Sequence, residues 1–517
     1  MTNEVFLDAY KELNPAQKDA VDSTEGPVMV IAGPGTGKTQ VLALRIANIL
    51  TKTDTSASGI LCLTFTRSGV KAMRKRLETY MGSNAHDVRV ATFHSFAIEL
   101  IEKHYLNLGF TNMPKLLDDR ESVFLIDELL HSREWKYIRP RGNPATYFSD
   151  IKSLISLLKR ERMTPQDFQK EIKKEMQSLE SDPDSISSRG PTKGELKKEI
   201  VKKVEALART SEVVEFYEEY EKEKLERLFM DYDDALRYAV ELVEQSGDVC
   251  ADIKENFLYI LVDEHQDSSG VQNSFLKAVW ADVEKPNIFV VGDDRQLIYG
   301  FGGASLSYFE DFKTAFGKAK LITLVENYRS TAPILDLADT LLASELTKEK
   351  LHSNTKDIGE IVLAEYAYPR DEIIASAQYF KKLFADGVDP KECVVLVPKN
   401  HHVRSAITTL RSQGVPVSSG ESQSFFESRS VASFRKVLKV ISNPNDVVAL
   451  SETLFDSISG ISAISAHKFF RSIKPKDISI GDVVNSGAGE GLFTEQNEIA
   501  VWGKKLLQYI EESNKTG

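Results

Sequence analysis

The sequence predicts an α/β fold built on parallel sheets, and three observations predict it. Apolar runs of strand length alternate with helical patterns; the run 27–31 passes through a glycine-rich turn into a helical pattern at 39–50; and two later apolar runs end in clusters of acids and amides. Alternation of this kind gives parallel strands covered by helices on both faces.

The strand candidates in order are 60–65, 88–91, 257–262, 287–291 and 321–324, with helices such as 68–80 and 94–108 between them. From about 109 to 227 the alternation stops. That stretch reads as helical and highly charged, with a breaker-rich loop from Ser181-Asp182-Pro183-Asp184 to Gly194 in its middle, and so as an insertion into one sheet domain. After Asn327 a second alternation begins, with strand candidates at 360–364 and 393–397 and helices at 372–384 and 403–412. From about Asn443 the pattern turns helical again. The expected domains are therefore 1–108 with 227–326, an insertion at 109–226, a second sheet domain at 327–442 and the start of a second helical insertion at 443–517.

The turn after the first strand carries the most chemistry. Ala32-Gly33-Pro34-Gly35-Thr36-Gly37-Lys38-Thr39 puts backbone N–H groups and the positive end of a helix dipole at one point. Lys38 adds a full charge for β- and γ-phosphates, and the Thr39 hydroxyl suits Mg²⁺. Ala32 stands where the GxxxxGK[ST] spacing has its first glycine. These residues, with Gln40 beside them, predict a nucleoside triphosphate site. Run 257–262 ends in Asp263-Glu264-His265-Gln266-Asp267, and strand ends in an open α/β sheet are where ligands collect. Asp263 suits a magnesium ligand and Glu264 the base that orients and deprotonates water. Run 287–291 leads to Gln296, an amide suited to a γ-phosphate or its attacking water, and to Tyr299 and Phe301, rings that either stack on bases or pack in a core.

Together with Leu13-Asn14-Pro15-Ala16-Gln17, Leu63-Thr64-Phe65-Thr66, Ala91-Thr92-Phe93-His94-Ser95-Phe96 and Glu326-Asn327-Tyr328-Arg329-Ser330-Thr331, these segments resemble the ordered motifs of UvrD/Rep-type superfamily 1 DNA helicases. The resemblance extends to at least Phe426, through Gly414-Val415-Pro416-Val417 and Ser424-Phe425-Phe426-Glu427. It implies two RecA-like P-loop NTPase domains, each with a helical insertion, using ATP and Mg²⁺ to move 3′→5′ on single-stranded DNA and to separate strands at single/double-strand junctions. It also implies roles. Gln17 and Tyr328 would hold the adenine, the alternative for Gln17 being an ordinary capping-box glutamine, and Arg329 would reach the γ-phosphate, its alternative being a charge at a helix start. Arg45 would contact nucleotide, its alternative being a solvated helix charge. Thr64, Phe65, Arg67, Thr92, Phe93 and His94, with Tyr299 and Phe301, would line the DNA strand. The basic helix of Lys71, Arg74, Lys75 and Arg76 either extends that track or is a solvated face.

Three departures stand out: Gly302 replaces an arginine, Arg295 replaces the third acid of an Asp-Asp-Asp-Gln pattern, and no match to the family's last two motifs precedes Gly517. The expectation from the third is weak DNA-stimulated ATPase and no unwinding. The competing readings are an ATP-gated single-strand-binding module and the motor part of a helicase–nuclease.

Composition bounds the rest. With 517 residues, 42% hydrophobic and 27% charged, the chain has material for about three or four domains. A net charge of −12 excludes a surface coated in DNA-binding charge but not a narrow basic groove. No apolar run approaches the roughly 20 residues of a membrane span, and Met1-Thr2-Asn3-Glu4 has no signal pattern, so the cytoplasm is expected. Cys62, Cys250 and Cys393 are far apart in sequence and two of them sit in apolar strand-like runs, which argues against a disulfide or a cysteine metal site, and all three are expected to be buried thiols.

Overall fold

The computed structural model describes residues 4–139, 147–187, 194–298, 300, 304–341, 349–418, 429–472, 478–486 and 495–516. Two compact units divide the chain, Met1–Val362 and Leu363–Gly517.

In the first unit, helices α1 (Glu4–Lys11) and α2 (Pro15–Asp22) precede strand β1 (Val28–Ala32), then α3 (Lys38–Lys52), β2 (Ile60–Thr64), α4 (Arg67–Met81), β3 (Arg89–Thr92) and α5 (Phe93–His104). A short strand β4 (Lys115–Leu116) leads into the helical insertion: α6 (Asp119–Ser132), α7 (Phe148–Arg160), α8 (Pro165–Ser181) and α9 (Lys198–Glu226). The chain returns through β5 (Phe229–Met230), α10 (Tyr232–Gln245), α11 (Gly247–Asn256), β6 (Tyr259–Val262), α12 (Gly270–Trp280), β7 (Ile288–Gly292), α13 (Leu306–Ala315) and β8 (Lys320–Leu324). Among the described residues the main sheet has six strands, in the order β3-β2-β6-β7-β1-β8, every pair parallel.

Strand pleating sorts the buried residues onto two faces. Met29 and Ile31 join Leu61, Leu63 and Ala91 in a core covered by α5, α10, α12 and α13. Val28, Val30 and Ala32 face the other way into a core with α2, α3 and α4. Burial on both faces explains why these strands read as unbroken apolar runs.

The insertion has its own core around Leu129, Trp135, Ile155 and Phe216. It is fastened to the sheet domain by a buried charge knot. Lys159 on α7, fully buried, lies 2.6 Å from Asp231 and 2.7 Å from Asp234, at the start of α10. Lys224 on α9 pairs with the same two aspartates and with Glu221 at 2.7 Å. The two ammonium groups fill a carboxylate cluster (Glu221, Asp231, Asp234) close enough to hold a metal ion. They hold Asp234 well below the usual carboxylate range despite its burial, and the carboxylates hold both lysines above theirs.

After β8 the chain forms β9 (Glu326–Asn327), α14 (Ala332–Leu341) and β10 (His352–Ser353), with β9 and β10 parallel. These three elements pack within the first compact unit. The physical reason is Asn327: fully buried, its side-chain amide donates to the Pro34 carbonyl, and its Oδ1 accepts the backbone N–H groups of Arg329 (2.8 Å) and Ser330 (2.7 Å).

The second unit contains α15 (Pro369–Ala385) and α16 (Asn400–Ser412), packed on each other around Ala377, Leu410 and Val415. Helices α17 (Arg429–Ser442), α18 (Val447–Leu454), α19 (Ala463–Ser472), α20 (Ile480–Asn485) and α21 (Glu495–Thr516) form a separate helical core around Leu450, Trp502 and Leu506. Val437 and Val440 of α17 belong to that core as well. Cys62 is buried as expected, but Cys250 and Cys393 are only partly buried; likewise the strands expected at 360–364 and 393–397 do not form, a correction to the sequence reading. Their apolar side chains are exposed, Leu363 at 97% and Leu396 at 89%, so the local pattern is present without the ladder partners that define a strand.

Candidate functional site

The glycine-rich turn sits at the carboxyl end of β1, between the ends of β7 and β8. Gly35 and Gly37 have φ of +73° and +88°, the left-handed region that glycine enters freely, and Gly37 caps α3. Thr36 is buried, its hydroxyl donating to the Gly33 carbonyl at 2.8 Å. Ala32 is the fully buried last residue of β1.

A cavity of about 490 Å³ opens above this turn. Pro34, Gly35, Gly37, Lys38, Thr39 and Gln40 line one side, Glu264 and Gln296 another, and Gln17, Tyr328 and Arg329 complete it. Lys38 Nζ is 3.3 Å from Glu264 Oε2. Asp263, at the end of β6, is buried; burial, with Glu264 beside it, pushes its carboxyl up to about 6. Asp267 is pushed up to about 6 by the same causes in the same order. Four separate strand ends and loops converge here, as the topology of an open parallel sheet allows.

Gln17 is held at the cavity by a reciprocal cap. Asn14 Oδ1 accepts the Gln17 N–H at 2.8 Å, and Gln17 Oε1 accepts the Asn14 N–H at 3.1 Å. Gln17 Nε2 donates to the Thr36 carbonyl at 2.9 Å. Tyr328, half exposed, accepts from Asn14 Nδ2 at 3.0 Å, and its backbone N–H donates to Gly35 O at 2.9 Å.

Arg45 does neither of the things expected of it. It is buried under the sheet, donating to the carbonyls of Ala20 (2.7 Å) and Thr24 (3.2 Å), with its guanidinium 4.4 Å from the Phe289 ring centroid. Burial pulls its pKa down to about 9. It anchors the end of α2 and does not line the cavity. Arg76, read as part of a DNA track, does line it, and its charge lowers the Asp263 carboxyl. The signal was available: on α4, position 76 lies two residues from Arg74, hence on another face of the helix.

A second cavity, of about 930 Å³, lies between the sheet domain and the insertion. Phe65, Arg67, Lys71, Arg74, Thr92 and His94 line it from the sheet side, Lys152 and Arg160 from α7, and Tyr232 from α10. His94 packs edge-on against Tyr232, centroids 6.4 Å apart, and burial lowers its pKa. The Thr92 hydroxyl caps α5 by accepting the Ser95 N–H at 3.1 Å. Two expected strand-lining residues are elsewhere. Thr64 is buried at the end of β2, its hydroxyl donating to the Thr66 carbonyl at 3.1 Å, and Phe93 is a core residue with 4% exposure. Phe93 follows the cap of α5, where the first turn points its ring inward. Tyr299 and Phe301 lie outside the described residues, as do Gly302 and positions 424–427.

With this geometry in view, the family models match in two consecutive blocks: the UvrD/REP helicase N-terminal domain over residues 13–317 and the UvrD-like helicase C-terminal domain over 322–494. The chain belongs to the UvrD/Rep helicase family. Among curated UvrD/Rep-type relatives, the ATP-dependent DNA helicase PcrA of Staphylococcus epidermidis is 28% identical over 476 residues, covering 92% of this chain and 60% of that protein. The PcrA of Staphylococcus aureus is 26% identical over 502 residues, covering 96% of this chain and 63% of that protein. The chain thus spans about 60% of the length of these UvrD/Rep-type relatives. Among the described residues no helix is long and apolar enough to cross a membrane.

Proposed function

We propose that this chain is an ATP-driven motor on single-stranded DNA, moving 3′→5′ and coupling hydrolysis to strand separation in the cytoplasm. The observation that carries the reading is one cavity that gathers Lys38, Glu264, Gln296 and Arg329 around a phosphate-binding turn. Hydrolysis of a phosphoanhydride needs charge on the phosphates and an oriented water, with little covalent chemistry from the protein. Lys38 and Arg329 both supply positive charge to the cavity. Glu264 accepts the proton of the attacking water, and Gln296 holds the γ-phosphate or that water. Gln17 and Tyr328 grip the base, with Gly33 to Thr39 cradling the phosphates through backbone N–H groups. Asp263 and Thr39 fit a magnesium ion: a buried carboxyl pushed up to about 6 beside a second acid is one that a nearby cation returns to its charged form. Bound there, Mg²⁺ would neutralise charge developing on the phosphate oxygens.

The larger cavity suits the DNA strand. Arg67, Lys71 and Arg74 provide phosphate-binding charge, Phe65 a stacking ring and His94 a hydrogen-bonding edge. The same reading gives residues 1–108 with 227–326 and residues 327–442 as the two RecA-like parts, and 109–226 and 443–517 as their helical insertions. The test is ATP hydrolysis with and without a single-stranded oligonucleotide, paired with strand displacement on a duplex bearing a 3′ tail at low salt. Hydrolysis stimulated by DNA is expected, and any displacement by this chain only from the 3′ tail; hydrolysis indifferent to DNA would overturn the reading.

A further inference from the structure

Gln266 stands between Glu264 and the loop after β7, yet it lines neither cavity. Its side chain is 2% exposed. Nε2 donates to Glu264 Oε2 at 2.9 Å, and Oε1 accepts the Asp293 N–H at 3.0 Å. The contact is built into the backbone on both sides. A Cβ at Gly292 would lie 2.5 Å from Gln266 Oε1, so that position has room only for hydrogen. Glu264 has φ of +51°, a left-handed conformation that a side chain other than glycine holds only under constraint.

Glu264 Oε2 has a second donor, Lys38 Nζ at 3.3 Å. An incoming triphosphate competes for that ammonium, since phosphate oxygens are its stronger partners at this turn. Once Lys38 turns to the phosphates, Gln266 is what keeps the carboxylate aimed. The chain of contacts continues: Asp293 O accepts the Gln296 N–H at 3.0 Å, joining Glu264, Gln266, Asp293 and Gln296 in one series of hydrogen bonds.

We infer that Gln266 is a positioning residue for ATP hydrolysis, holding the Glu264 carboxylate toward the attacking water and tying it to the loop that carries Gln296. The inference rests on the reading of Glu264 as the base. It asks for both ends of an amide: a donor toward the carboxylate and an acceptor toward the β7 loop. A glutamate in its place would keep the acceptor and set a like charge against Glu264, whereas a methionine of similar volume would remove both.

The experiment is a double-mutant cycle on DNA-stimulated ATPase, using the whole chain with Gln266→Met, Gln266→Glu, Glu264→Gln and the Gln266→Met/Glu264→Gln pair. Each Gln266 variant is expected to lower kcat at least tenfold with KM for ATP and affinity for an oligothymidine strand within twofold of wild type. In the Glu264→Gln background, Gln266→Met is expected to change kcat by less than twofold, because the residue acts through Glu264. Thermal melts check the fold of each variant, and Gln266→Glu, which keeps the side-chain volume, serves if Gln266→Met fails to fold. Wild-type kcat in Gln266→Glu, or losses that multiply in the double variant, would overturn the inference while an inactive Glu264→Gln left the base assignment standing. Wild-type kcat in Glu264→Gln would overturn both.

Discussion

Asn14 Nδ2 donates to the Tyr328 hydroxyl across 3.0 Å, although 314 positions separate the two residues. The residue that caps the Gln17 helix therefore also steadies the ring beside the nucleotide cavity. Tyr328→Ala is expected to weaken ATP binding about tenfold through the lost stacking surface. Tyr328→Phe, which loses only the hydroxyl, should stay within a few-fold of wild type. Titration with a fluorescent ATP analogue measures both, and equal affinities for Ala and wild type would remove Tyr328 from the base site.

Lys38 and Glu264 form a pair here at 3.3 Å but act on different steps. Lys38→Ala is expected to reduce ATP affinity, and Glu264→Gln to leave affinity intact while lowering turnover by about 10²–10⁴. Equilibrium binding and single-turnover hydrolysis on the same preparations separate the two. Unchanged ATP affinity in Lys38→Ala would be incompatible with the site.

The charge knot under the insertion predicts a stability effect rather than a catalytic one. Lys159→Met leaves buried carboxylates short of a partner and is expected to destabilise the fold by about 3–5 kcal/mol. Asp234 is held well below its unfolded value, so its contribution is present above the ordinary carboxylate pKa near 4 and fades as pH falls from there toward the folded value. The lysines, held above their unfolded values, keep their contribution below about pH 10 and lose it only as pH rises through the folded ones. Urea denaturation of wild type and Asp234→Asn from pH 3 to 8 is the measurement. The gap between them should be constant above pH 5 and narrow in acid.

Aromatic residues of the DNA motifs divide by burial. Phe65→Ala is expected to reduce single-strand affinity by about 1–3 kcal/mol with little change in melting temperature, as are Tyr299→Ala and Phe301→Ala if those rings stack on bases. Phe93→Ala removes a core ring and is expected to destabilise the fold by about 3–5 kcal/mol. Arg67→Ala should make binding less sensitive to salt, through one phosphate contact fewer. Fluorescence anisotropy across a salt series, beside thermal melts, distinguishes the classes.

What the sequence made legible was local. The phosphate turn, the acids after β6 and the amide after β7 are defined by spacing along a few residues, and the sheet order then brings their strands together. The four inner strands of the main sheet, β1, β2, β6 and β7, were readable because burial on both faces leaves long apolar runs. Arg45 was not readable: its burial depends on carbonyls of α2 and on Phe289, none of them near it in sequence. Thr64 and Phe93 sit in the right motifs but point inward, a matter of one residue in register. Lys159 and Lys224 resemble any solvated helix charge until the first turn of α10 is folded against them. The segments at 360–364 and 393–397 are apolar runs of strand length, but pairing is a property of neighbours.

Gly35 leaves no space for a Cβ, which would lie 2.7 Å from the Arg329 Cβ and 2.8 Å from the Asn327 amide nitrogen. Two stretches of sequence almost 300 residues apart are thereby machined to a common tolerance. Anyone grafting the 327–330 segment from a relative into this protein would have to import the matching phosphate turn with it. The pair is a single inherited part, and its two halves are interchangeable only together.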